Sequence, residues 1–381
     1  MRQRSRLVGV AAVLLLLAFV LSACAGATPV AENWPGLTVS GGSVYVISGT
    51  PQQVYIVDAE TGTQQRAFVP DVEYQGALYW SPVTVGGDLA FVGFADSTIG
   101  SAGLYAFDPA TAQQRWSVPA KDLILPAPVY AGDVVYFGDS SGRVYAVDAE
   151  AGTVLPGWPF QAGEAIWAAP LAVGNRLYVA SMDHNFYSLD AESGQEIWHT
   201  ELGGAVAAAP VMDEAGEILY VGAFDGHVYA IHADSGELVE GFDFQADNWI
   251  WSEVLLADGR LYVTALDGRL YALDPATGQV VSPYPFDSGI LQGQGTSDVI
   301  RAAPVQAADN IVVATESGRV AAVQNAQAVW DWPSGVPENL IYTTPVVVDD
   351  TIYVALRDGT VVSLNAETGV QGWTFSSPVA E

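Results

Sequence analysis

The sequence predicts an all-β fold, an eight-bladed β-propeller with four-stranded antiparallel blades. Residues 167–198 hold four short apolar runs separated by turn residues, and their aromatic and β-branched side chains suit a pleated sheet. A similar unit recurs at steps of 40 to 50 residues, which is typical of propeller blades. The chain is 50% hydrophobic with mean hydropathy +0.25, as expected if neighbouring blades cover both faces of each sheet.

The repeat is clearest where the third strand of each unit ends. These positions are Asp58, Asp108, Asp148, Asp190, His232, Asp274, Gln324 and Asn365. The hairpin before the third strand often carries a tight-turn dipeptide such as Asp225-Gly226. The predicted blades are 34–68, 79–118, 125–160, 167–200, 207–244, 250–286, 301–332 and 342–376. Each contains all four strands, so we expect the ring to close without a shared sheet.

The amino-terminal segment is predicted to be a lipoprotein signal peptide, residues 1–23, followed by a short tether, residues 24–33. Three arginines precede the apolar run Leu7 to Leu21, which is short for a spanning helix. Leu21-Ser-Ala-Cys24 resembles the bacterial lipobox. The resemblance implies cleavage before Cys24, lipidation of that residue, and anchoring to a bacterial membrane facing the periplasm or the cell exterior. An ordinary signal peptide or an uncleaved anchor with an incidental cysteine is the alternative.

The rest of the chain, residues 34–381, is predicted to be one propeller domain and a monomer. Three of the 13 Lys and Arg residues lie in the leader, which leaves 10 basic against 43 acidic residues. Because no basic stripe is present, nucleic acid is not an expected partner. The chain has 1 cysteine, so an intramolecular disulfide is excluded.

Tryptophans recur in the outermost strand. Trp116, Trp198 and Trp373 each lie eight residues after the end of a third strand. The segments Ala191-Glu-Ser-Gly194-x-x-x-Trp198 and Ala366-Glu-Thr-Gly369-x-x-x-Trp373 resemble the tryptophan-docking repeat of pyrroloquinoline-quinone-type propellers. The resemblance implies that these tryptophans pack between blades.

The overall resemblance is to quinone-repeat propeller lipoproteins, which include the propeller subunit of the outer-membrane β-barrel assembly machinery. This resemblance implies a non-catalytic scaffold that binds proteins outside the cytoplasm. A role in outer-membrane protein assembly is the narrower expectation.

Catalytic chemistry has little support in the sequence. Quinoprotein dehydrogenases of this fold carry an adjacent cysteine pair and calcium ligands, and neither pattern is found in this sequence. The four histidines show no zinc-type spacing, and no nucleophile elbow is present. We therefore expect no enzyme activity, no cofactor and no metal. The alternative is a quinoprotein-like module that binds a cofactor or another ligand.

A binding face is expected at one end of the propeller. Long insertions, including 282–299, connect outer strands to the next inner strands, and long loops on rigid scaffolds often carry function. Counting back from the proline before most inner strands predicts residues that circle the channel mouth. The predicted binding residues at or beside this position are Trp34, Tyr79, Trp167, Trp251, Arg301 and Tyr342. Aromatic members could instead fill gaps between blades. Arg301 could bind an anion or form an ion pair, and we favour the ion pair.

Overall fold

The computed structural model describes residues 36–48, 52–70, 78–96, 100–292, 298–333 and 339–377. The predicted leader, Cys24, the tether and Trp34 lie outside the described residues. No helix in the described ranges is both long enough and apolar enough to span a membrane.

The first four blades follow one another along the chain. Blade one contains β1 (Leu37–Ser40), β2 (Ser43–Ser48), β3 (Gln53–Asp58) and β4 (Gln64–Phe68). Blade two contains β5 (Leu78–Tyr79), β6 (Thr84–Gly86), β7 (Leu89–Asp96), β8 (Ser101–Asp108) and β9 (Gln113–Ala120). Blade three contains β10 (Val129–Ala131), β11 (Val134–Gly138), β12 (Arg143–Asp148) and β13 (Phe160–Gln161). Blade four contains β14 (Leu171–Val173), β15 (Arg176–Ala180), β16 (Asn185–Asp190) and β17 (Glu196–Glu201).

The last four blades have the same order. Blade five contains β18 (Val211–Met212), β19 (Ile218–Gly222) and β20 (Val228–His232). Blade six contains β21 (Leu255–Ala257), β22 (Arg260–Thr264), β23 (Arg269–Leu273) and β24 (Phe286–Asp287), followed by helix α1 (Gly289–Gln292). Blade seven contains β25 (Val305–Ala307), β26 (Asn310–Ala314), β27 (Val320–Gln324) and β28 (Gln327–Trp332). Blade eight contains β29 (Val346–Val348), β30 (Thr351–Ala355), β31 (Val361–Asn365) and β32 (Gln371–Phe375).

The sheets confirm the predicted eight-bladed propeller. Strands pair antiparallel in chain order from the inner to the outer edge of each blade. Two blades depart from four strands. In blade two, β5 pairs with β7 as a fifth strand. In blade five, isolated bridges such as Ile231 with Leu238 take the place of an outer strand.

The hydrophobic core is divided among the interfaces between blades. Eight clusters of buried side chains occur in the described residues, and each combines side chains from two neighbouring blades. For example, one cluster joins Phe186 of blade four to Leu219 of blade five. The strands can therefore be apolar on both faces, which explains the high hydrophobic content of the sequence.

The ring closes by packing between blades eight and one. One of the eight clusters joins Val44 and Tyr55 of blade one to Tyr353 of blade eight. Trp373 Nε1 donates a hydrogen bond to the Ala59 carbonyl at 3.0 Å. Every strand of blade one and of blade eight comes from its own consecutive segment, so no strand is exchanged.

The outer-strand tryptophans contact the turn that follows the third strand of the next blade. Trp116 Nε1 donates to the Ala149 carbonyl at 2.9 Å. Trp198 packs against Gly236, where an added Cβ would lie 2.7 Å from the indole. Within the described part of the chain, Trp198 Nε1 has no hydrogen-bond partner. Trp330, which the sequence analysis did not select, donates to Ala366 at 3.3 Å.

Candidate functional site at the channel mouth

The mouth end is the end of the propeller at which the chain enters each inner strand. We call the segment before an inner strand its entry segment. The Phe224 N–H in the hairpin between β19 and β20 donates to Ala205 in the entry segment of blade five at 2.9 Å. The Ala223 carbonyl accepts from Ile250 in the entry segment of blade six at 3.2 Å. Entry segments and these hairpins therefore lie at the same end and hold one another in place.

One position of the entry segment is buried between blades. Its aliphatic members are exposed by 1% or less, and they are Ile124, Ile166, Val206, Ile250, Ile300 and Ile341. Glycines in the preceding blade make room for several of them. A Cβ added to Gly138 would lie 2.3 Å from Ile166, and one added to Gly222 would lie 2.2 Å from Ile250. This position belongs to the core.

Tyr79 occupies this buried position in blade two, so its predicted place at the mouth is wrong. Its side chain is 1% exposed, and burial raises the pKa of its hydroxyl. The count from proline fails because β6 begins two residues after Pro82, whereas β14 begins directly after Pro170. Trp80 therefore takes the place in blade two that Trp167 takes in blade four.

The next residue of each entry segment forms what we call the rim of the mouth. The described rim residues are all half-buried, and they are Trp80, Leu125, Trp167, Ala207, Trp251, Arg301 and Tyr342. Trp34 has the equivalent position in the sequence of blade one but lies outside the described residues. The structure thus brings four of the predicted binding residues, Trp167, Trp251, Arg301 and Tyr342, to equivalent places.

Aromatic side chains meet on one side of the mouth. The rings of Trp167 and Trp251 lie 6.3 Å apart between centroids. Phe224 stacks on Trp251 at 5.1 Å and on Trp249 at 4.9 Å. Blade five has the small Ala207 between the two rim tryptophans, which leaves space for their approach. We call Trp167, Phe224, Trp249 and Trp251 the aromatic cluster.

Arg301 is held by two contacts within the protein. Its guanidinium carbon lies 5.3 Å from the centroid of the Trp251 ring. Its Nε donates to Glu316 Oε2 at 2.9 Å. A guanidinium on an aromatic face beside a carboxylate is a favourable arrangement. These contacts favour the ion-pairing role of Arg301 over the capture of an anion. At the rim of blade eight, Arg357 lies 5.8 Å from the centroid of the Tyr342 ring.

Hairpin aspartates stiffen the mouth end. Asp225 Oδ1 accepts a hydrogen bond from the His227 N–H at 3.0 Å, and Asp225 Oδ2 accepts one from the Tyr229 hydroxyl at 2.5 Å. Burial, together with this second bond, raises the pKa of Tyr229 to about 12. Asp267 and Tyr271 repeat the pair at 2.5 Å in blade six. These carboxylates support the hairpins that carry residues such as Phe224.

A second ring of side chains lies two residues deeper than the rim. Its members are Gly36, Pro82, Ala127, Ala169, Ala209, Glu253, Ala303 and Thr344. Neighbouring members approach each other closely, since a Cβ added to Gly36 would lie 2.4 Å from the Pro82 Cα. The Ala303 N–H also donates to Thr344 Oγ1 at 3.0 Å. We call this set the channel ring.

Glu253 is the one acidic member of the channel ring. Its neighbour Ser252 shares a hydrogen bond of 3.0 Å with Thr264 of β22, so Ser252 faces the blade. Val254 on the other side is buried in the blade, whereas Glu253 is exposed to solvent, so Glu253 faces the channel. The side chain is exposed to solvent, yet burial by the surrounding protein raises the pKa of its carboxyl group. The exposure and the raised pKa are compatible, because water in the channel reaches the carboxyl group while protein surrounds it on most sides.

Sequence reasoning missed two residues of this site. Phe224 could have been noticed as an aromatic at a hairpin position that holds Ser140, Met182 or Leu266 in other blades. Glu253 could have been recognised from the sequence only after all eight entry segments had been aligned. Within the described ranges, no group of three or more His, Cys, Asp or Glu side chains could hold a metal ion.

Family comparison supports the identification of the fold and repeat. A family model described as outer membrane protein assembly factor BamB matches residues 27–158, 157–239, 215–281 and 287–380. These matches together cover far more than half of the chain. The chain belongs to this family. The resemblance predicted from the docking motif is therefore confirmed.

Solved structures share the propeller fold. BamB from Moraxella catarrhalis is 17% identical with a TM-score of 0.68, and the match covers 86% of this chain and 92% of that one. The computationally designed protein Ika8 is also 17% identical, with a TM-score of 0.66 over 87% and 95% of the two chains. A europium-containing methanol dehydrogenase is 13% identical with a TM-score of 0.65 over 89% and 83%. At these identities the likeness concerns the fold alone. No curated protein sequence matches the chain.

Proposed function

We propose that this BamB-family chain is a non-catalytic scaffold that binds a partner protein through its mouth end. In the proposal, Cys24 anchors the scaffold to a bacterial membrane outside the cytoplasm, and the partner belongs to outer-membrane protein assembly. Family membership supports the assembly context. The lipobox resemblance supports the anchor.

The observation that carries the proposal is the aromatic cluster. Its residues come from blades four, five and six and meet at one end of a rigid ring. Trp249 remains 39% exposed although its ring stacks on Phe224. Exposed aromatic side chains held by neighbours are frequent anchors of protein interfaces, because they bury a large area with little loss of conformational freedom.

The test places a photo-crosslinking amino acid at Leu125 on the rim, next to the cluster, and identifies the proteins captured in the native host. We expect Trp249→Ala and Trp167→Ala to reduce capture of the partner at least tenfold. Trp249→Ala should lose about 1 kcal/mol or less of unfolding free energy because Trp249 is 39% exposed, whereas Trp167→Ala should lose about 2 kcal/mol because Trp167 is half-buried. Val370→Ala is the matched control because Val370 is 65% exposed and lies in a turn at the opposite end.

Two results would contradict this function. The first is unchanged capture by both tryptophan variants. The second is an unfolding loss of several kcal/mol with normal capture, which would assign the tryptophans to the core instead.

A further inference from the structure

Glu253 is placed where a long acidic side chain is not required by the fold. The other members of the channel ring are Gly, Pro, Ala or Thr, and two adjacent pairs, Gly36 with Pro82 and Ala303 with Thr344, approach each other closely. The backbone of the entry segment is fixed by Ile250 and Val254, which are buried in the core between blades five and six. An alanine would fill the position at blade six as it does at its neighbours Ala209 and Ala303.

The carboxylate of Glu253 has no ion pair or hydrogen bond within the described part of the chain. Burial alone accounts for the raised pKa of Glu253, and no neighbouring positive charge lowers it. Arg301, the rim residue of the next blade, forms its ion pair with Glu316 instead. A carboxylate that protein surrounds on most sides loses hydration, and without a positive partner this loss is unfavourable. A cation from outside the protein would offset that desolvation cost.

The ring favours an organic cation over a metal ion. Calcium takes six to eight oxygen ligands and magnesium near-octahedral coordination, whereas the neighbours of Glu253 in the ring are alanines. An ammonium or guanidinium group needs one carboxylate and gains from nearby aromatic faces. The contacts of Arg301 with Trp251 and Glu316 show this chemistry at the same rim.

The length of the entry segment sets the depth of the site. Glu253 follows Trp251 by two residues across a bend at Ser252, so their Cα atoms lie at most about 7 Å apart. A lysine or arginine side chain is about that long, so a residue seated on the aromatic cluster could extend its charged end to Glu253. The formal net charge of the chain is −30, which favours approach of a basic surface.

We propose that the channel mouth accepts one lysine or arginine side chain of the partner protein, and that its charged end pairs with the Glu253 carboxylate. This inference rests on the proposed function and specifies the chemistry of the partner. The aromatic cluster contacts the residue that carries the side chain, and Glu253 selects its charge.

Ligand-observed NMR titration tests the proposal with defined probes. The first probe is a capped glycine–serine heptapeptide with a central lysine, and its control carries norleucine at the same place. The second probe is n-butylammonium, which represents a free amine. We expect the lysine peptide to bind more tightly than both the norleucine peptide and n-butylammonium. Glu253→Gln should weaken lysine-peptide binding at least tenfold, whereas Glu367→Gln, at an exposed turn at the opposite end, should leave it unchanged.

Three results would overturn the inference: no binding of the lysine peptide, equal binding by Glu253→Gln, or binding of n-butylammonium in the absence of peptide binding. The last result would assign Glu253 to a small-amine site. Failure of this inference can be separated from failure of the proposed function. If Glu253→Gln captures the crosslinked partner normally while Trp249→Ala does not, the mouth is an interface without a basic anchor. If both variants capture normally, the proposed function fails as well.

Discussion

Trp373 provides a direct measure of how strongly the ring is closed. Its indole joins blade eight to blade one through the Nε1 hydrogen bond to Ala59 and through contact with Gly62. A fully buried tryptophan changed to alanine costs about 3–5 kcal/mol. Trp373 is half-buried, so the packing loss should be about half of that value. The Ala59 carbonyl also accepts from the Tyr353 hydroxyl at 3.1 Å and would keep a partner.

We therefore expect Trp373→Ala to lower the unfolding free energy by about 2–3 kcal/mol, of which the lost hydrogen bond contributes about 0.5–1 kcal/mol. Trp373→Phe should lose about 1 kcal/mol because a ring remains in the gap. Urea unfolding followed by far-ultraviolet circular dichroism gives these values without relying on tryptophan fluorescence.

Hydrogen exchange gives the location of the effect. Trp373→Ala should increase exchange mainly in β1–β4 and β29–β32, the two blades that it joins. Trp116→Ala is the matched control, because it removes the same kind of contact between blades two and three. A Trp373→Ala loss below about 0.5 kcal/mol, or increased exchange spread equally over all blades, would refute the idea that this residue closes the ring.

Three further predictions follow from individual contacts. Gly152→Ala should lose about 1–3 kcal/mol of unfolding free energy in the same urea assay, because Gly152 has φ +65° and an added Cβ would lie 2.6 Å from Trp116. Gly132→Ala should lose less, because Gly132 also has a positive φ of +56° but an added Cβ would meet open space. Burial raises the pKa of Glu253 in the folded protein above the ordinary value of about 4.3 that it has in the unfolded chain. As the pH rises through these two pKa values, the ionised carboxylate increasingly destabilises the folded state. Glu253→Gln should therefore raise Tm at neutral pH, and this gain should vanish below about pH 4. Cys24→Ser should abolish labelling by a fatty-acid probe and membrane fractionation, and retained label would contradict lipidation.

The blades could be predicted because their signals are local. Short apolar runs, tight-turn hairpin dipeptides and an aspartate at the end of most third strands all act within a few residues. In the structure, Asp190 Oδ1 accepts from the Ser193 N–H at 2.8 Å, which is the turn role that the sequence indicates. The repetition of these signals determines the number of blades.

The mouth could be predicted only in part, because its register depends on where each inner strand begins. Pro82 lies one residue further from its strand than Pro170 does, and this single residue exchanges the buried Tyr79 for the rim residue Trp80. The stacking of Phe224 on Trp251 joins separate blades and leaves no local trace in the sequence. Glu253 could not be distinguished from other acidic residues until the channel ring had been assembled.

The mouth combines a rigid frame with a side chain that the frame does not stabilise. Backbone bonds between hairpins and entry segments hold the aromatic cluster in place, so a partner would lose little entropy in ordering it. Glu253 lies in the same frame, but burial disfavours its charged form. Stability alone would favour a neutral or smaller residue there. A charge kept at a cost to stability, beside preorganised aromatic rings, is the pattern expected where binding and stability place opposite demands on one position.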